Sequence, residues 1–72
     1  MTGIEMHSSV ALLEDLPEQG LVRGQVGTVV ETWAPDVYEV EFANDSGEPY
    51  AMVALKSSQL LVLHFEQIRE VA

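Results

Sequence analysis

The chain has 72 residues, 47% of them hydrophobic, with twelve Asp and Glu against three Lys and Arg for a formal charge of -9, and no cysteine. A chain this short buries only about 60% of the surface it exposes when unfolded, which excludes two domains and a large enclosed catalytic cleft. The missing cysteines exclude a disulfide framework and a thiolate metal centre, and three basic residues are too few to displace counterions from a nucleic-acid backbone.

Val10-Ala11-Leu12-Leu13 is a short buried run and reads as the first strand; it closes at the polar, turn-rich stretch Glu14 to Gly20. Gly24 and Gly27 flank Val26, and Thr28 to Trp33 follows with the β-branched and aromatic types that suit a pleated, half-buried surface. Ala34-Pro35-Asp36 ends this second strand, because proline has no N–H for a ladder. Tyr38, Val40 and Phe42 then alternate with Glu39 and Glu41, a period of two with one face inward and a carboxylate face in water.

Asn44 to Pro49 is a second turn, rich in residues that bond their own main chain or tolerate left-handed backbone. Tyr50 to Leu55 is apolar on both faces, as expected of a strand covered on two sides. It is also the longest apolar run, six residues against the ~20 that cross a bilayer, and the first residues lack the basic and apolar blocks of a signal peptide. The expectation is a cytoplasmic protein without a membrane partner. Lys56 to Gln59 fits a single helical turn leading to a fifth strand, Leu60 to Leu63. Phe65, Ile68 and Val71 at i, i+3, i+6 predict a short C-terminal amphipathic helix, with a frayed tail as its rival.

Five short strands, a long first loop, tight later hairpins and one helical turn before the last strand predict an all-β fold, a small five-stranded SH3-like barrel. An OB-fold competes, but Ala43 to Pro49 leaves no room for its helix between strands three and four. The expected organisation is one domain over residues 1–72, with a core at about 10–63 and an extension at 64–72.

The block from Val10 through Leu21, then Arg23 to Glu31, then Tyr38 to Phe42, and finally Leu55 to Leu60 resembles the pattern of the bacterial domain-of-unknown-function family 4926. The resemblance covers roughly residues 10 to 63. It implies a small SH3-like barrel and carries no agreed activity, so no catalytic residue transfers from it. The chain departs from the pattern at Ser8-Ser9 and in the extension from His64 to Ala72. Arg23 to Val29 is also similar to the turn and strand of SH3-like accessory modules in electron-transfer complexes, a likeness of shape.

Each group able to carry chemistry has a plainer role beside it. Glu39 and Glu41 lie about 7 Å apart along a strand, yet an acid–base pair needs one desolvated carboxylate and their alternating position predicts a solvated face. Asn44, Asp45, Ser46 and Glu48 gather oxygens as a calcium loop does, but without its ordered spacing. His7 and His64 are the two imidazoles, and a zinc site would need both plus carboxylates from distant segments. Ser8, Ser9, Ser57 and Ser58 have no nucleophile-elbow setting, and Gly20, Gly24 and Gly27 no P-loop ending. Trp33, Tyr38 and Tyr50 offer an aromatic shelf for a proline-rich peptide, with Tyr38 in phase with the core and Trp33 the better exposed.

Association gives the firmest functional expectation. One barrel interior is filled by Val10, Leu12, Val26, Val29, Val40, Phe42, Val53, Leu55, Leu61 and Leu63, leaving Met52, Leu60, Val62, Phe65, Ile68 and Val71 outside. Covering ~400 Å² of such surface is worth on the order of 10 kcal/mol before entropy. The sequence therefore predicts a non-catalytic protein-interaction module, a homodimer or hetero-complex, engaging its partner through Trp33, Met52, Val62, Phe65 and Ile68. A small acidic antitoxin or immunity-type protein facing a basic partner is the specific version. An accessory subunit of an electron-transfer or metallo-enzyme complex is the alternative. No cofactor and no small-molecule substrate are expected.

Overall fold

A computed structural model describes residues 3–67 of the chain. Five strands form: β1 (Ser9–Leu12), β2 (Val26–Ala34), β3 (Val37–Ala43), β4 (Pro49–Lys56) and β5 (Leu60–Val62). Two 3₁₀ turns, Pro17–Gln19 and Ser57–Gln59, punctuate the first loop and the link into β5. The strands make one antiparallel sheet in the order β4-β3-β2-β1-β5. The all-β expectation and the five strands placed along the chain are what the structure shows.

The sheet is not closed. Among the described residues no ladder joins β4 to β5, which are connected instead by the second 3₁₀ turn. Gln59 fixes that turn: its Oε1 accepts the Lys56 N–H (2.9 Å), its Nε2 donates to Glu14 (2.8 Å), and its carbonyl accepts the Leu13 N–H (2.9 Å). Residues 63–67 carry no helix, and the rest of the predicted C-terminal helix, with Ile68 and Val71, lies outside the described residues. No helix among the described residues is long and apolar enough to cross a membrane.

Val10, Leu12, Val29, Val40, Phe42 and Leu55 are buried as their spacing predicts, joined by Leu21, Tyr38 and Leu60. Val26 and Leu61 are not in the core; both are half exposed. The reason is register. Each lies opposite Ala11, Val26 on β2 and Leu61 on β5, so both share the outward face of β1 while Val10 and Leu12 point in. Leu60 is thereby brought opposite Leu12 and buried, not left outside as its sequence position suggested. Val62, opposite Val10, likewise packs against the core rather than standing free of it. A slip of one residue reverses every side chain of a strand, and β5 is too short and uniformly apolar for the sequence to mark its phase.

Leu21 arrives in the core because the first loop folds back on itself. Leu16 and Leu21 bridge, Gly20 turns the chain at φ 71°, and Arg23 N–H caps onto Asp15 Oδ1 at 2.8 Å. The second hairpin is held by Asn44, whose Oδ1 accepts the N–H of Ser46 (2.9 Å) and of Glu48 (3.0 Å), while Gly47 takes φ 82°. Two register shifts interrupt the β2–β3 ladder, one between Val29 and Glu31 and one between Thr32 and Ala34. Trp33 is the extra residue of the second.

Candidate functional site

An open cavity of about 740 Å³ lies where the N-terminal arm, the β2–β3 turn, the second 3₁₀ turn and the segment after β5 meet. Its arm wall is set by Tyr38. That ring is buried, and its hydroxyl accepts the Ile4 N–H at 3.0 Å and donates to the Pro35 carbonyl at 3.4 Å. Tyr38 is inward because it shares the Val40–Phe42 phase, so the alternation that builds β3 also ties down the arm. The arm is then sewn to β2 by two main-chain bonds, His7 N–H to the Val29 carbonyl (2.7 Å) and Val29 N–H to the Ser8 carbonyl (3.0 Å).

His7 stands at φ 67°, a left-handed position that histidine takes more readily than most residues. His64, on the far wall, faces the same cavity, as do Glu5 and Asp36. The two imidazoles thus come to one cleft from opposite ends of the chain. Among the described residues no group of three His, Asp or Glu is placed to hold a metal ion. Asp36 is engaged by the Ser57 hydroxyl, which donates to its Oδ1 and closes the wall between the β2–β3 turn and the second 3₁₀ turn.

Of the residues predicted to contact a partner, Val62 and Phe65 line this cavity. Phe65 is 80% exposed, and Val62 is half-buried. Trp33 and Met52 lie elsewhere, on the sheet, 64% and 53% exposed. Ile68 lies outside the described residues. The single surface imagined from the sequence is therefore two regions.

The predicted aromatic shelf is not assembled. Tyr38 is buried, Tyr50 is tied by its hydroxyl to Gln25 Nε2 (2.8 Å), and Trp33 donates its indole N–H to Glu39 Oε1 (2.7 Å). The outward face of β2 and β3 is acidic: Glu31 lies directly opposite Glu39, and Glu41 lies between Thr28 on β2 and Met52 on β4. Asn44 and Glu48, read from sequence as oxygens of a possible calcium loop, bond each other through Asn44 Nδ2 and Glu48 Oε1 at 3.1 Å.

A model of a family described as a domain of unknown function, DUF4926, matches residues 6–62. The chain belongs to that family. No curated protein and no solved structure matches it. The DUF4926 region takes in all five strands and stops at the end of β5. Within the cavity, the lining from His7 to Val62 falls inside that region, whereas Gly3, Ile4, Glu5, Leu63, His64 and Phe65 fall outside it.

The contribution of the N-terminal arm was not legible in sequence. Gly3 to Ser8 has neither helical nor strand period, and it becomes ordered by bonds to Tyr38 and Val29 that no local pattern announces.

Proposed function

We propose that this protein is a non-catalytic protein-interaction module, an SH3-like sheet that presents apolar side chains to a protein partner. The observation that carries the reading is the surplus of apolar surface. The core is small, while Met6, Leu13, Val22, Val26, Trp33, Tyr50, Met52, Leu61 and Phe65 are all exposed. Scattered single exposures are normal; here Val26 and Leu61 sit in one cross-strand row through Ala11, and Met52 and Tyr50 lie on the same β4. The SH3-like description is supported by the meander β1 to β4, the 3₁₀ turn after β4 and the return of β5 to β1.

The charge of -9 keeps so apolar a small protein dispersed and favours a basic surface on any different partner. An antitoxin or immunity-type role is one form of this reading. The test is capture of partners from the native host with the parent chain and with a Trp33→Ser, Met52→Ser, Phe65→Ser variant, alongside sedimentation of both. A complex or self-associate formed by the parent and lost in the variant supports the module. A parent chain that stays monomeric and captures nothing overturns it.

A further inference from the structure

The sheet has two edges of unequal character. β5 is three residues long, the short kind of edge that natural sheets tolerate. β4 is eight residues long and, among the described residues, pairs only with β3, so the N–H and C=O groups on its other side have no ladder partner. Pro49 opens the strand and a register shift against β3 leaves Tyr50 as an extra residue, so its start is blunted; from Ala51 to Leu55 it carries no charge, no proline and no register shift. Its two ends are charged with opposite sign: Glu48 immediately precedes the strand and Lys56 closes it.

We propose that this edge is the docking site for a second copy of the chain, β4 pairing antiparallel with β4 about a twofold axis to join the two sheets into one. The inference rests on the interaction-module reading and names its partner. With Met52 of both copies on the axis, Ala51 of each falls opposite Val53 of the other and Tyr50 comes beside Ala54; past the shift at Tyr50, Glu48, whose carboxylate also accepts Asn44 Nδ2 within its own turn, comes to the Lys56 end of the other copy. The arrangement is self-complementary, as a twofold contact must be. Charge favours this edge: in a molecule at -9 the stretch from Ala51 to Leu55 carries no carboxylate, and the cationic Lys56 end of each copy meets the Glu48 end of the other. Exposed Tyr50 and Met52 are covered by the same act.

The size of the contact sets its strength. An eight-residue edge is about 27 Å long, and strand pairing along it with the flanking side chains covers less than the ~800 Å² per partner of a standard stable interface. A micromolar dimer is expected.

Sedimentation equilibrium from about one to several hundred micromolar reads the association. The parent chain is expected to pass from monomer to dimer. Glu48→Lys and Lys56→Glu, each placing like charges opposite at both ends, are each expected to weaken the dimer about tenfold. The double variant E48K/K56E restores opposite charges and is expected to return to within about threefold of the parent, a rescue that a merely structural role for either residue does not produce. Met52→Glu, exposed and on the axis, is expected to abolish the dimer with the circular dichroism spectrum unchanged. A monomer throughout the range, or a dimer indifferent to all four variants, overturns the proposal. A monomer that captures a different protein also overturns it and leaves the module reading standing.

Discussion

Gly27 is the direct cross-strand partner of Phe42, and a Cβ built on it falls 2.9 Å from Phe42 Cδ1, 2.9 Å from the Glu41 carbonyl oxygen and 2.7 Å from Val40 Cγ1. On its other side Gly27 pairs with Val10 of β1. Glycine at this position lets β2 lie close against the side chains and main chain of β3. Gly27→Ala is therefore expected to destabilise the fold by about 3 kcal/mol in urea titration, because a main-chain oxygen is among the atoms that must move. Adding Val40→Ala relieves one of the three contacts but opens a cavity, so the pair will be non-additive. A loss below 0.5 kcal/mol, about that of an ordinary surface change, means the strands are free to separate here.

Tyr38 connects core to cavity through one oxygen. Tyr38→Phe keeps the ring packed and strands the half-buried Ile4 N–H, with an expected cost of about 1–2 kcal/mol. The more specific expectation is local. Hydrogen exchange at Ile4 and His7 accelerates while exchange at Val40 and Phe42 slows or speeds only with global stability, since the arm opens without the sheet. Equal acceleration at all four amides contradicts an arm that is tied down at Tyr38.

The outward face stores a repulsion. Glu31 and Glu39 are directly opposed across β2 and β3, and Trp33 offsets part of this by donating its indole N–H to Glu39. Glu31→Lys is expected to stabilise the chain by about 0.5–1 kcal/mol, and Glu31→Gln by roughly half as much. Both gains shrink in about 1 M salt, where the Debye length falls to ~3 Å. Thermal unfolding of the three proteins at low and high salt checks the sign and the screening together.

Elements with strict alternation or strong turn chemistry were legible from the chain alone. β3 could be placed from Tyr38, Val40 and Phe42, and the Asn44 hairpin from residues that bond their own backbone. Phase failed where pattern was missing. Leu60-Leu61-Val62-Leu63 is apolar at every position, so nothing local says which residues face in; the answer comes from pairing with β1. Leu21 was missed for a related reason, since its burial depends on the loop closing at Leu16. The cavity was out of reach because it joins residues near both ends of the chain, and its arm wall is held by a tyrosine hydroxyl rather than by any periodic segment.

Gln59 joins three segments. Within the second 3₁₀ turn it bonds back to Lys56 N–H, across to Glu14, and through its carbonyl to Leu13, so the end of β4, the end of β1 and the start of β5 are positioned together. No ladder joins β4 to β5, and this turn therefore does the work that strand pairing does elsewhere in the sheet. Gln59→Ala removes both side-chain bonds and keeps the main-chain one. The expected cost is about 1–2 kcal/mol, a net value for two partly exposed hydrogen bonds. Gln59→Glu retains the acceptor for Lys56 N–H but sets a carboxylate beside Glu14, so it is expected to be worse than alanine at neutral pH and to recover as the pH falls through the ordinary carboxylate range. Urea titrations of the three proteins at pH 7 and near pH 4 separate these terms. If alanine and glutamate variants match at both pH values, Glu14 is not held by this turn, and the junction of β4 with β5 rests on backbone contacts alone.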